Sequence, residues 1–311
     1  MIIKHLEQKN QTLKNIKFNG LTVKAILNGI ANAGSGNIDF SKSTIQVILT
    51  RDNKPHVICQ QNLKILGLAS SIGTLEQLAF ASTMDAGQQL VAGQTAIVCF
   101  TIPFLGVIDL HGDDEIYIEI QNSEGLFTDA NLEAASFLEV KPLKCYGVEK
   151  FIPRIRALVV QANEASNQYM LSDNLIRCVL LNFDKSDFKT NVINNVVFSS
   201  DRLDENYTYQ DLIAKKMRMA GKQLLPHGDA DISVDFQQDQ SFVLTDAHEE
   251  YDGVSLDIQF NSPNVTASNN YIVAWNYDTD WTILTKAAAA ESKHAKITQD
   301  KITAATTNGK K

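Results

Sequence analysis

The sequence predicts an all-β protein: two tandem eight-stranded jelly-roll β-barrels arising from an internal duplication, each with one inserted α-helix. Three observations predict it. The first is self-similarity. Thr74-Leu75-Glu76-Gln77-Leu78 reappears as Thr208-Tyr209-Gln210-Asp211-Leu212, and Ala86-Gly87-Gln88-Gln89-Leu90 as Ala220-Gly221-Lys222-Gln223-Leu224, both at an offset of 134 residues. Weaker echoes precede them in the same order. Val23-Lys24-Ala25-Ile26-Leu27 matches Ile155-Arg156-Ala157-Leu158-Val159 at offset 132, and Ile45, Ile48 and Leu49 match Ile176, Val179 and Leu180 at offset 131. The second observation is a succession of short, β-branched runs separated by turn residues, the pattern of a sandwich or barrel. The third is size: 311 residues suit two domains, each of roughly 130–150 residues.

The elements follow in order. Residues 1–17 scatter Ile2, Ile3, Leu6, Leu13 and Ile16 among lysines and glutamines, an N-terminal arm that is helical or extended. The first jelly roll is expected over 18–145. Residues 21–27 and 44–50 read as strands around a loop at 32–37, Arg51-Asp52-Asn53-Lys54-Pro55 as a turn, and 57–59 and 65–68 as further strands. Thr74 then reads as a helix N-cap, with Gln77 placed to reach back, and the helix closes at Ala86-Gly87; a threonine hydroxyl there satisfies an orphan backbone N–H, and glycine ends the helix. Strands return at 95–102, 115–121 and 137–140.

The second jelly roll is expected over 146–286, joined to the first by a short connection near 141–147 that leaves the barrels side by side. Thr208 caps its helix with Asp211 in the third position, and Ala220-Gly221 ends it. Strands are expected at 232–236, 242–245, 255–260 and 271–277, with 281–284 after them. Ser255-Leu256-Asp257-Ile258-Gln259-Phe260 alternates, so one of its faces is wet. Ile118-Glu119-Ile120-Gln121-Asn122-Ser123 resembles Ile258-Gln259-Phe260-Asn261-Ser262 at offset 140 and one residue short, a drift that implies loop insertions. Residues 287–311 form a basic, flexible C-terminal tail.

Net charge is −8, unevenly spread. Residues 1–24 and 286–311 each carry +4, which leaves −16 for the body. Basic ends on an acidic body can touch phospholipid or nucleic acid, or simply keep chain ends soluble. An acidic body repels phosphate, which argues against nucleic-acid binding there. Cys59, Cys99, Cys145 and Cys178 form no Cys-x-x-Cys pair, and three sit in apolar runs as buried thiols do. That suits synthesis in a reducing cytoplasm.

Catalytic patterns are missing. The six histidines show neither the His-x-His of a metal-binding duplicated barrel nor His-x-x-x-His. No Gly-x-Ser-x-Gly elbow or phosphate loop occurs. No catalytic, cofactor-binding or metal residue is assigned, and no cofactor or small-molecule substrate is expected. Two acidic turns, His111-Gly112-Asp113-Asp114-Glu115 and His227-Gly228-Asp229-Ala230-Asp231, offer carboxylates that could gather around calcium. They read more simply as polar turns leading into strands. Trp275-Asn276-Tyr277-Asp278-Thr279-Asp280-Trp281 is an aromatic cluster that anchors a core or an oligomer interface, or else stacks on a sugar.

Two fused strand-rich domains, a helix at 74–86 and at 208–220, a short join and basic ends resemble the double jelly-roll major capsid proteins of tailless icosahedral bacteriophages with an internal membrane, the corticovirus and finnlakevirus types. The resemblance covers about residues 15–286 and is one of organisation. It implies homotrimers with a pseudo-hexameric outline tiling a virion shell, with neighbouring trimers and penton or minor capsid proteins as partners. It also implies synthesis in the host cytoplasm and termini facing an internal membrane or the genome. It carries over no active-site residue, so an enzyme is not expected. The competing reading is a carbohydrate- or receptor-binding double β-sandwich of the virion-spike type, which requires exposed aromatics at loop tips.

Overall fold

The computed structural model describes residues 1–28, 35–36, 38–71, 88–89, 95–127, 135–160, 166–172, 174–182, 193–208, 211–212, 215, 242–245, 251–260 and 270–278. The first half contributes β1 (Ile2–Lys4), β2 (Gln8–Leu13), β3 (Lys17–Asn28), β4 (Ser35–Gly36), β5 (Ser43–Arg51), β6 (Lys54–Asn62), α1 (Leu63–Ser71), β7 (Gln88–Gln89), β8 (Thr95–Asp109), β9 (Glu115–Asn122) and β10 (Phe137–Lys144). The second contributes β11 (Ile152–Val159), β12 (Ser166–Ser172), β13 (Leu175–Asn182), β14 (Ile193–Ser199), β15 (Asp204–Thr208), β16 (Phe242–Val243), β17 (Val254–Phe260) and β18 (Asn270–Asp278).

Setting aside the small β4–β7 ribbon, each half is a pair of four-stranded antiparallel sheets. The orders are β1-β10-β3-β8 and β2-β9-β5-β6 in the first half, β11-β18-β13-β16 and β12-β17-β14-β15 in the second. Numbered within its own half, each barrel has its first, eighth, third and sixth strands in one sheet and its second, seventh, fourth and fifth in the other. Identical strand order in both halves is the jelly-roll topology, twice.

Alternation builds the cores. In β5, Ser43, Ile45, Val47, Leu49 and Arg51 point inward while the residues between them face out, the period-two signature of a half-buried strand. The β5–β6 hairpin closes through Asp52 and Asn53, both at positive φ (50° and 59°), with Arg51 opposite Lys54. A two-residue turn with both central residues left-handed matches the strand twist, and Asp and Asn tolerate it best after glycine.

Three expectations are corrected. Residues 1–17 are extended and built into the barrel. β1 pairs with β10 and β2 with β9, so the arm supplies the barrel's first two strands, one to each sheet. Both are edge strands, and β2 is polar on both faces, so periodicity does not betray it. Residues 65–68 are not a strand but part of α1, which the Asn62 side chain caps by accepting from the Ile65 N–H at 2.9 Å. Leu63, Leu66 and Ala69 recur at helical spacing and are buried; so short an apolar run fits strand and helix equally. Cys99 faces outward, whereas Cys59 and Cys178 are buried as expected.

The repeat echoes also shift. Residues 23–27 lie on β3, the third strand of its barrel, and 155–159 on β11, the first of its own. Those echoes therefore join non-equivalent strands, as do Ile45 and Ile176. The match between 118–120 and 258–260 does join equivalent strands, β9 and β17. The second helix start stands as expected. Asp211 Oδ2 accepts from the Thr208 N–H (2.9 Å) and hydroxyl (2.6 Å), and 211, 212 and 215 are helical. Its counterpart is α1, since each follows the fifth strand of its barrel. The helix expected at 74–86, and the strands at 232–236 and 281–284, lie outside the described residues.

Asn62→Ala should destabilise the protein by about 0.5–2 kcal/mol through loss of the α1 cap; thermal unfolding followed by circular dichroism checks this.

Candidate assembly interface

One sheet of the second barrel is buried on both faces. Cys178, Leu180, Phe242, Leu244, Ile272 and Ala274 point into their own barrel. The alternate residues Ile155, Val179, Leu181, Val243, Val273 and Trp275 join the core cluster of the first barrel. Two-sided burial explains the near-continuous apolar runs of β13 and β18, because a strand with no wet face has no polar phase. The cover comes from one side of the first barrel: β6 and β8 lie against β11, and α1 against β13.

Trp275 is the centre of this contact. It is fully buried, and its indole N–H donates to the Pro103 carbonyl of β8 at 2.9 Å. Proline leaves its carbonyl as the only backbone hydrogen-bonding group at that position, and here the other barrel satisfies it. Arg177 lies over the indole face, 5.1 Å from the ring centroid, and burial pushes its guanidinium down to about 10. Beside it Phe151 stacks on Tyr277 at 4.3 Å. A Cβ on Gly106 would meet the Phe151 ring at 2.5 Å, so glycine is what lets the ring approach β8.

The connection between barrels is fastened by charge. Arg51 follows Ile45, Val47 and Leu49 on the inward phase of β5 and is 6% exposed. Its guanidinium meets Asp114 (3.0 Å) and Glu149 (3.0 Å) and donates to the Asp109 carbonyl (3.0 Å). Burial raises the Glu149 carboxyl above the usual carboxylate range, with Arg51 pulling it back. Glu149 belongs to the interbarrel connection, so a buried ion pair ties that segment to the first barrel.

The acidic turn at residues 111–115 lies beside this group. Asp114 pairs with Arg51, Glu115 with Lys14 at 3.0 Å, and the neighbouring Asp109 with Lys17 at 2.6 Å and His111 at 3.0 Å. These carboxylates serve protein cations. Among the described residues no group of three or more His, Cys, Asp or Glu side chains is placed to hold a metal. The turn at 227–231 and Trp281 lie outside the described residues. Of the aromatic cluster, Trp275 is a core residue of the barrel contact, not an exposed platform.

Sequence reasoning missed Arg51, Pro103 and Glu149. A signal existed for the first: an arginine on the buried phase of an alternating strand requires partners.

The remaining outer faces differ in character. On β1-β10-β3-β8 the outward row Lys4, Phe137, Ile26 and Ile97 lies in register across four strands, and the next row is Ile2, Glu139, Lys24 and Cys99. Ile97 is 62% exposed and Ile2 48%. On β2-β9-β5-β6 the corresponding rows are Gln8, Gln121, Thr44, Asn62 and Asn10, Glu119, Gln46, Gln60. Of these, Thr44, Gln46, Gln60, Asn62, Glu119 and Gln121 line an open groove of about 350 Å³ whose lining includes no aromatic side chain.

The two barrels of identical strand order, packed through one shared face, define the double jelly-roll fold. Solved structures with this fold include the major capsid protein of STIV, at TM-score 0.53 and 10% identity over 89% of this chain and 93% of that one. A chain from the atomic structure of Sulfolobus Turreted Icosahedral Virus aligns at TM-score 0.54 and 10% identity over 94% and 98%. A chain of the PBCV-1 virus capsid aligns more loosely, at TM-score 0.49 and 8% identity over 89% and 91%. No family profile and no curated protein sequence matches the chain.

Trp275→Ala should cost about 3–5 kcal/mol and separate the unfolding of the two barrels in a denaturant titration, whereas Trp275→Phe, which keeps the ring, should cost less. Arg51→Ala should cost about 3–5 kcal/mol by stranding two buried carboxylates. Glu149→Gln should cost much less, since burial already disfavours the charge. A raised folded-state pKa means that Glu149's contribution is fully present below the ordinary carboxylate pKa and is lost as pH rises through the raised value. The glutamine variant should therefore gain melting temperature relative to wild type as pH rises through that window.

Proposed function

We propose that the protein is the major structural subunit of an icosahedral viral shell, working by assembly rather than turnover. The observation that carries this reading is the duplicated barrel. One chain holds two copies of the same eight-stranded unit, coupled by a buried face into a single body. Three such chains present six similar barrels, so a homotrimer approximates six-fold symmetry and can tile a surface beside other trimers, with penton or minor proteins where the surface curves. Closed rings of head-to-tail contacts are the expected solution for a unit with two different complementary sides. The shared fold with viral capsid chains supports the same reading.

Charge refines the partners. Lys9, Lys14 and Lys17 sit on Glu7, Glu115 and Asp109, so much of the basic character of the N-terminal segment is matched within the barrel. The basic segment at 286–311 is then the better candidate for contact with an internal membrane or the genome. For the spike reading, Trp275 is buried and the open polar groove has no stacking surface, while Tyr146 in the connection between the barrels stands fully exposed.

Native mass by light scattering, followed by negative-stain imaging, tests the proposal. A species near three times 34.4 kDa, or shells or sheets with pseudo-hexagonal units, is expected. A monodisperse monomer at high concentration would overturn it.

A further inference from the structure

The segment joining the barrels is held by few contacts. Between Lys144, the last residue of β10, and Ile152, the first of β11, it forms no helix or strand. Cys145 donates to the Lys17 carbonyl at 3.4 Å, and among the described residues no backbone–backbone hydrogen bond involves 146–150. Tyr146 is fully exposed and Val148 is 43% exposed. Two residues pin the middle of the segment. One is Gly147, where a Cβ would meet Val107 at 2.7 Å. The other is Glu149.

Glu149 enters a crowded group of charges. Its Oε1 lies 3.0 Å from Arg51 Nη1 and accepts from the Asp109 N–H at 3.3 Å. It therefore faces Arg51 of β5 and the Asp109 end of β8. The turn after β8 adds Asp114, 3.0 Å from Arg51 Nε. Lys17 of β3 and the largely exposed His111 both sit on Asp109. Three carboxylates thus share two permanent cations. With His111 neutral, one negative charge is left over, although Asp109, Asp114 and Glu149 are only 15%, 16% and 12% exposed. A surplus of buried charge is unfavourable and is relieved by taking up one proton. Glu149 is the member suited to take it: burial raises its carboxyl above the usual range against the pull of Arg51. It is also the member that can leave. Arg51 would keep Asp114 on Nε and the Asp109 carbonyl on Nη2, and both of those partners belong to the first barrel itself.

We propose that Glu149 is a proton-operated latch on the segment joining the two barrels: neutral, it holds the segment against the first barrel, and ionised, it releases the segment into solvent. Cys145 and Phe151 are the hinges. The barrels stay together through Trp275 and Pro103, so release frees residues 146–150 alone. Because the closed-state pKa is raised, closure is fully favoured below the ordinary carboxylate pKa and weakens as pH rises through the raised value. The latch needs only the two-barrel fold and does not rest on the shell-subunit reading.

The test compares wild type with Glu149→Gln, which keeps a hydrogen-bonding side chain but cannot ionise. Opening is read as the rate of cleavage after Tyr146 by a protease specific for aromatic residues. Such an enzyme needs free residues on both sides of the bond, so cleavage tracks the open population. A free peptide of residues 141–150, with the matching residue at 149, corrects for the protease at each pH. Infrared absorption reports the neutral carboxyl, and circular dichroism the fold. Wild-type cleavage should rise by up to about tenfold per pH unit between the ordinary and the raised pKa, then level off. The rise should coincide with loss of a neutral-carboxyl band that Glu149→Gln lacks, while the variant stays at the closed rate throughout. Flat wild-type cleavage, or an equal rise in the variant, refutes the latch. So does cleavage that falls as pH rises, which would make the ionised Glu149–Arg51 pair the fastening. Should Glu149→Gln misfold, wild type alone decides: a rise in cleavage out of step with loss of the band overturns the proposal.

Discussion

Everything in this molecule depends on a sheet buried from both sides. The strands β11, β18, β13 and β16 close the second barrel with one face and complete the core of the first with the other. Two barrels that each needed only one buried face would be a pair on a string. Here the shared face removes Ile155, Val179, Leu181, Val273 and Trp275 from water, at a gain of roughly 25 cal/mol per Å² of apolar surface. The indole N–H to Pro103 then fixes the register of one barrel on the other, because an unpaired indole N–H in that setting is costly. Arg51, Asp114 and Glu149 hold the connecting segment flat against the first barrel. The result is a single two-barrel body held through one buried face.

A consequence for electrostatics is that several charges conspicuous in the sequence are paired within the fold. Asp114 and Glu115 seem to offer oxygen ligands, yet Arg51 and Lys14 stand beside them. The lysines near the N-terminus look like a membrane-facing patch, yet Lys9 pairs with Glu7, Lys14 with Glu115 and Lys17 with Asp109. Such pairs contribute little individually at the surface; the buried Arg51 group matters more, since breaking it strands charge.

Legibility in the sequence follows burial geometry. β5, β9 and β17 alternate because one face is wet and one dry, so their strands could be read directly. The turn at Asp52 and Asn53 and the Thr208–Asp211 cap could be read because local chemistry dictates them. β1 and β2 could not: they are short edge strands whose partners lie more than a hundred residues away, and β2 shows no apolar phase. α1 was illegible because its apolar residues fit either period. The duplication was visible, but its alignment slipped by two strands there, since apolar five-residue runs on β3 and β11 look alike whatever their place in the barrel. The role of Trp275 needed the fold: a core residue and an interface residue have the same composition, and only the position of Pro103 distinguishes them.

The same geometry makes the assembled particle the decisive object. An image reconstruction of the oligomer at a resolution that separates barrels would show how the chains are arranged in it. Six barrels around a three-fold axis, two from each chain, are the predicted result. A particle built from two-fold pairs of chains would contradict that outcome.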